Sequence, residues 1–214
     1  MKWLDIIPFW ISTPAMEPVS VNWFPNRRCN YECHFCFHTN TNDFILLLEG
    51  AKRGLRDLAD AGMKKLNISG GEPFLQPAYI GEIFRFCKEE LKIESCSVVS
   101  NGSKVTEKWL DTYGQYLDIM AISCDSFDVE TNVKQGRAEK GTSRTHIENV
   151  FKVAEWVKAR DIKVKINTVV TMCVSLLPAI VTLLITFHHS NNWEEDMNDQ
   201  IEELAPFRWK VGPN

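Results

Sequence analysis

The sequence carries no excess of basic charge. Lys and Arg number 24 against 28 Asp and Glu, a formal net charge of −4. No basic field favours nucleic acid, so direct nucleic-acid binding is not expected and any anion site must be built locally. There is no Gly/Ser-rich linker and no internal repeat. A length of 214 residues then suits one domain at ~100–200 residues per domain. A disulfide framework is also missing: the seven cysteines are an odd number, and three fall between positions 29 and 36. That points to a metal cluster and a reducing, cytoplasmic compartment. With 44% hydrophobic and 24% charged residues, global disorder is excluded and a sizeable core is attainable.

Charge of either sign is absent from one stretch. The 28 residues 166–193 contain no Asp, Glu, Lys or Arg, and TMCVSLLPAIVTLLITF within them reads as a membrane-span candidate, a buried helix or a segment foreign to the fold. The N-terminal residues 1–17 are apolar but far short of the ~20 needed to span a bilayer. Trp3, Ile6, Ile7, Trp10 and Ile11 would share a helix face, suited to weak membrane contact or to packing as a flap on the domain.

Short apolar runs alternate with helical patterns. Strands are predicted at 19–24, 65–69, 97–100, 119–125, 163–170 and 208–211, and helices at 47–61, 79–91, 107–116, 145–160 and 194–204. Such alternation is the signature of βα units on a parallel sheet or barrel. The strands alternate internally as well. Lys65, Asn67 and Ser69 oppose Leu66 and Ile68; Asn22 opposes Val21 and Trp23; Ser123 and Asp125 oppose Ile122 and Cys124; Lys165 and Asn167 oppose Val164 and Ile166; Arg208 and Lys210 oppose Trp209 and Val211. Successive strand side chains point to opposite faces. Helices therefore cover the apolar parity, and the polar parity lines either a barrel lumen or the wetted face of an open sheet. Lys65, Lys165, Arg208 and Lys210 would make that face a cationic pocket suited to a polyphosphate.

Cys29, Cys33 and Cys36 have the spacing C-x3-C-x2-C directly after the first strand. Three thiolates on one loop can hold an iron–sulfur cluster with one iron left open. A closed zinc site completed by His34 or His38 is the alternative. Cys87, Cys96, Cys124 and Cys173 are scattered and read as ordinary buried residues. The second strand ends in Ser69-Gly70-Gly71-Glu72-Pro73. Its glycines permit close backbone approach to a ligand, and Glu72 can accept from an amine. Ser100-Asn101-Gly102 and the SCDS run from Ser123 add two further polar rim loops.

C-x3-C-x2-C with Phe35 before the last cysteine, paired with GGEP, resembles the radical S-adenosylmethionine (SAM) superfamily. The strings CNYECHFCFH, AGMKKLNISGGEPFLQ, YLDIMAISCDSFD, VKINTVV and RWKV are similar to its viperin family, an antiviral group. The resemblance covers residues 18–170 and 192–211. It implies an α/β fold, a partial (βα)6 TIM-type barrel, over residues 18–211. The cofactors it implies are a [4Fe–4S] cluster on Cys29, Cys33 and Cys36, and SAM. Phe35, Gly70, Gly71, Glu72, Ser100, Asn101, Ser123, Arg137 and Asn167 would bind SAM. Asn22, Lys65, Asn67, Lys165, Arg208 and Lys210 would bind the substrate. The implied reaction is reductive cleavage of SAM to a 5′-deoxyadenosyl radical, which dehydrates CTP to 3′-deoxy-3′,4′-didehydro-CTP. The implied partners are an electron donor and the iron–sulfur assembly machinery, and the implied location is the cytosol or the cytosolic face of endoplasmic reticulum or lipid droplets.

Three departures from the family pattern are expected to matter. Residues 1–17 read as a remnant of a longer amphipathic anchor. Residues 171–191 read as an atypical apolar insertion. Residues 212–214 form a tail where the family continues into a C-terminal lid containing a tyrosine implicated in the reaction, so turnover is expected to be weak. Other readings are a different substrate, or an impaired, truncated isoform acting as a binding protein.

Overall fold

The computed structural model describes residues 17–37, 42–141, 147–171, 192 and 194–213. Residues 1–16, His38, Thr145, Cys173 and nearly all of the charge-free insertion lie outside them. Six strands form one sheet: β1 (Ser20–Trp23), β2 (Lys65–Ile68), β3 (Ser95–Ser100), β4 (Ile119–Ser123), β5 (Lys163–Val170) and β6 (Arg208–Pro213). The order is sequential and every neighbouring pair is parallel. Six helices connect them: α1 (Leu48–Asp60), α2 (Pro77–Glu89), α3 (Glu107–Tyr113), α4 (Val129–Lys134), α5 (Ile147–Lys158) and α6 (Asn198–Leu204). This is the parallel α/β arrangement that the alternation predicts, and it agrees with the partial (βα)6 barrel that the resemblance implies. All six strands and five of the helices stand within a few residues of their predicted places. The predicted helix over 107–116 ends at Tyr113 and tightens into a 3-10 turn over Gly114–Tyr116. The sixth helix, α4, was not predicted.

The strand alternation explains the layers. Leu66, Ile68, Val98, Met120, Ile122, Val164 and Ile166 share the apolar parity and are all buried. The helices meet them with stripes at helical spacing: Ile80, Ile83, Phe84 and Cys87 on α2, and Val150, Val153, Ala154 and Val157 on α5. Each such large side chain removed from water contributes about 1.5–3 kcal/mol. Val211 departs from the pattern; it is half exposed on the edge strand β6. Among the described residues no helix is long and apolar enough to cross a membrane.

Candidate active site at the cysteine loop

The cysteine loop leaves β1 and is clamped from two sides. On one side lies the GGE turn after β2. Gly71 N–H donates to Asn26 O at 3.2 Å and Glu72 N–H to Arg28 O at 2.7 Å. Gly70 has φ +121°, and a Cβ on Gly71 would lie 1.8 Å from Arg28 O. The glycines do permit a close backbone approach, and the partner here is the chain itself. On the other side, residues 135–140 run against the loop. His34 N–H donates to Gln135 O at 3.0 Å, Lys140 N–H to Asn30 O at 3.0 Å, and Tyr31 bridges Glu139. Gly136, at φ +73°, packs so tightly that a Cβ would sit 2.2 Å from Glu32 O.

Glu72 is buried, and both its carboxylate oxygens are engaged. Oε1 accepts from Phe74 N–H (3.0 Å) and Ser100 Oγ (2.8 Å), and Oε2 accepts from Asn101 N–H (2.8 Å). Burial raises its pKa, and these donors work against the rise. Asn101 in turn donates to Asn30 Oδ1 at 3.0 Å. The SNG turn, the GGE turn and the cysteine loop are thus one hydrogen-bonded rim.

Burial pushes the Cys29 thiol up to about 11, partly offset by the Tyr31 N–H and reinforced by Glu72. Burial also raises Cys33, opposed by the Arg137 guanidinium. Cys36 is exposed, and none of the described cysteines is disulfide-bonded. Ionising Cys29 and Cys33 therefore calls for a cation, as metal ligation supplies. Three thiolates on one loop can take separate irons of a cluster; of the two candidate completing ligands of a zinc site, His34 is exposed on the loop and His38 lies outside the described residues.

Arg137 is buried beside this loop. Its Nε donates to Asp125 Oδ2 at 2.6 Å, its Nη2 pairs with the same oxygen, and its guanidinium lies 5.3 Å from the Phe35 ring centroid. Burial disfavours its charge, but Asp125 and the nearby Cys33 more than offset this and raise its pKa. On the inner face of the sheet, Ser123 and Asn167 are in register, and the buried Asn167 Oδ1 has no partner among the described residues. An orphaned acceptor aimed into this face suits a donor from a bound ligand.

The other inner-face residues divide into two groups. On β1–β3, Asn67 Nδ2 donates to Asn22 Oδ1 at 3.0 Å and Ser97 Oγ to Asn67 Oδ1 at 2.8 Å. Lys65 stands below them, in register with Ser20 and Ser95. On β5–β6, Lys165 is in register with Arg208, and Asn167 with Lys210. Burial first, then Lys210 and Arg208, lower the pKa of Lys165, so these three cations do converge. Sequence reasoning assigned no role to Gln135 or Asn192. It placed Asp125 only by strand parity. All three are buried polar residues.

The chain belongs to the radical SAM superfamily, whose family pattern it matches over residues 23–174. It is 45% identical over 203 residues to the S-adenosylmethionine-dependent nucleotide dehydratase RSAD2 of Oncorhynchus mykiss, covering 94% of this chain and 53% of that protein. To the protein of the same name from Danio rerio it is 46% identical, over 92% of this chain and 50% of the relative. The chain thus spans about half the length of these curated relatives. Among solved structures, SuiB of Streptococcus suis with its precursor peptide SuiA superposes at TM-score 0.68 with 21% identity, over 92% of this chain and 39% of that one. That likeness speaks to the fold alone.

Proposed function

We propose that this chain is the barrel of a viperin-type radical SAM nucleotide dehydratase acting on CTP in antiviral defence. The observation that carries the reading is the convergence of Lys165, Arg208 and Lys210 on the same inner face that the cysteine loop caps. Among the described residues no acidic side chain pairs with them, so their charge is available to a triphosphate. Cys29, Cys33 and Cys36 would hold a [4Fe–4S] cluster. Gly70, Gly71, Glu72, Ser100, Asn101, Phe35, Ser123, Arg137 and Asn167 would surround SAM. When bound, the pair supplies one-electron reductive cleavage of SAM, which starts hydrogen abstraction from the nucleotide. The chain's own contribution is placement. The rim fixes the loop, Asn167 offers its acceptor, Asn22, Lys65 and Asn67 face the nucleoside end, and the cations hold the phosphates. An electron donor and iron–sulfur assembly machinery are the partners this chemistry requires. A cytosolic site, including the cytosolic face of the endoplasmic reticulum or lipid droplets, supplies the reducing conditions the thiols need.

Anaerobic reconstitution with iron and sulfide tests the site. The expected result is a brown protein absorbing near ~400 nm, with the colour lost in Cys29→Ala, Cys33→Ala and Cys36→Ala. A colourless protein holding one stoichiometric zinc overturns the reading. Equilibrium binding of CTP, UTP and GTP to the reconstituted protein then tests the substrate. CTP should bind tightest, and equal affinities would count against it.

A further inference from the structure

The residues behind the cysteine loop form a closed ring of contacts, buried at Asp125 and part-buried at most other links, that begins and ends on that loop. His34 N–H donates to Gln135 O at 3.0 Å. Gln135 Nε2 donates to Thr171 Oγ1 at 2.9 Å, and the Thr171 N–H donates to Asn192 Oδ1 at 2.8 Å. Asn192 Nδ2 donates to Asp125 O at 2.6 Å and to Val169 O at 2.9 Å. Asp125 then takes the Val169 N–H on Oδ1 at 2.8 Å and the Arg137 guanidinium on Oδ2. Arg137 closes the ring over Phe35, between Cys33 and Cys36. Asp125 is fully buried, and Gln135, Asn192 and Arg137 are 2%, 5% and 8% exposed.

Gln135 Oε1 has no partner among the described residues, but Asp125, Asn192 and Arg137 are held to one geometry, because breaking one of their links strands a desolvated polar group. What the ring holds is a positive charge. Among the described residues Arg137 has one carboxylate partner, Asp125; the Val169 N–H on β5 holds Oδ1 of that carboxylate, and Asn192 holds the backbone carbonyls of both Asp125 and Val169, so it sets the two chain segments that orient the carboxylate. Asn192 itself lies beyond the ring's contact with Phe35 and touches none of the cysteines. We propose that Asn192, through Asp125, is a positioning residue that sets the Arg137 charge against the cysteine loop and thereby tunes the cluster and the SAM site. The inference rests on the proposed cluster-and-SAM reading and adds to it the residue that controls the electrostatics of that site. A fixed cation beside a cluster favours its reduced, more negative state, and outer partners of this kind shift affinity by about 10–100-fold.

The full 214-residue chain serves for the test, reconstituted as wild type, Asn192→Ala and the milder Asn192→Ser. Leu110→Ala is the control for simple destabilisation; its side chain is buried under α3, away from the ring. Two properties are read: the cluster midpoint potential, by redox titration followed by electron paramagnetic resonance, and the SAM dissociation constant. Both Asn192 variants should keep wild-type iron and sulfide content, while the potential moves negative and SAM binds about 10-fold more weakly. The Leu110→Ala protein should match wild type in both. Should Asn192→Ala not fold, Asn192→Ser decides alone. Asn192 variants with wild-type potential and wild-type SAM affinity overturn the inference while the cluster reading stands. A wild-type protein that takes up no cluster overturns the reading itself.

Discussion

At the residue scale, the glycines show how differently one residue type can be used. Gly71 carries no side chain because the backbone of Arg28 occupies that place, 1.8 Å from where a Cβ would be. Gly54 in α1 has nothing within 4 Å of the same position. Gly71→Ala should cost more than ~4 kcal/mol or prevent folding, whereas Gly54→Ala should stabilise by about 0.5–1 kcal/mol through helix propensity. Urea denaturation of both variants measures the contrast, and equal midpoints would refute it. The sequence reveals that GGE is special but not what approaches it, since that partner is 43 positions upstream in the chain, Gly71 against Arg28. Lys165 gives a second prediction. Its folded-state pKa lies below the ordinary 10.5, through burial and the neighbouring Lys210 and Arg208. Between that lowered value and 10.5 the unfolded chain binds more protons, so stability rises with pH through this alkaline window; at neutral pH the charged lysine is a net cost. Lys165→Gln should therefore raise the melting temperature at pH 7, flatten the alkaline rise and weaken triphosphate binding. A melting temperature that falls at pH 7 would contradict this.

At the element scale, the strands were legible because most of them alternate, while β4 reads as a short apolar run. Lys-Leu-Asn-Ile and Lys-Val-Lys-Ile-Asn state both the conformation and the buried face. The register Lys165↔Arg208 and Asn167↔Lys210 then brings together cations that are more than 40 positions apart. Helix α4 was not legible. Its six residues, VETNVK, are too short for a periodic stripe, and Val129 and Val133 are exposed. Its existence rests on a cap. The Asp128 carboxylate accepts the Thr131 N–H at 2.6 Å, which lowers its pKa. That stabilisation is present above the ordinary carboxylate range and is lost as pH falls through the lowered value. Asp128→Ala should fray α4 and loosen residues 135–140, which brace the cysteine loop. Asp128→Asn keeps an acceptor and should largely preserve both. Hydrogen exchange reports this directly: amides 131–137 should exchange faster in the alanine variant only, and unchanged protection there would show that α4 does not depend on its cap.

At the scale of the whole molecule, the charge-free stretch is the feature the fold must accommodate. Its two ends are fastened together. Thr171 N–H donates to Asn192 Oδ1 at 2.8 Å, while Asn192 Nδ2 holds Val169 O at 2.9 Å and Asp125 O at 2.6 Å. The chain leaves the end of β5 and re-enters beside it before α6 and β6, with β6 paired along β5 from Lys165↔Arg208 to Val170↔Pro213. A sheet so continuous across the excursion does not need residues 172–191 to set its register. A spanning helix at this point would instead separate β6 from its neighbour across a bilayer. Replacing residues 172–191 with a Gly–Ser linker of roughly four residues should leave the far-ultraviolet spectrum and the cooperativity of unfolding intact. Shortening a closed loop lowers its closure entropy by about 0.6 kcal/mol per halving, so stability should rise by about 1 kcal/mol. Urea titration of the two proteins side by side gives the answer. A shortened chain that aggregates or unfolds without cooperativity would show that the stretch is part of the core.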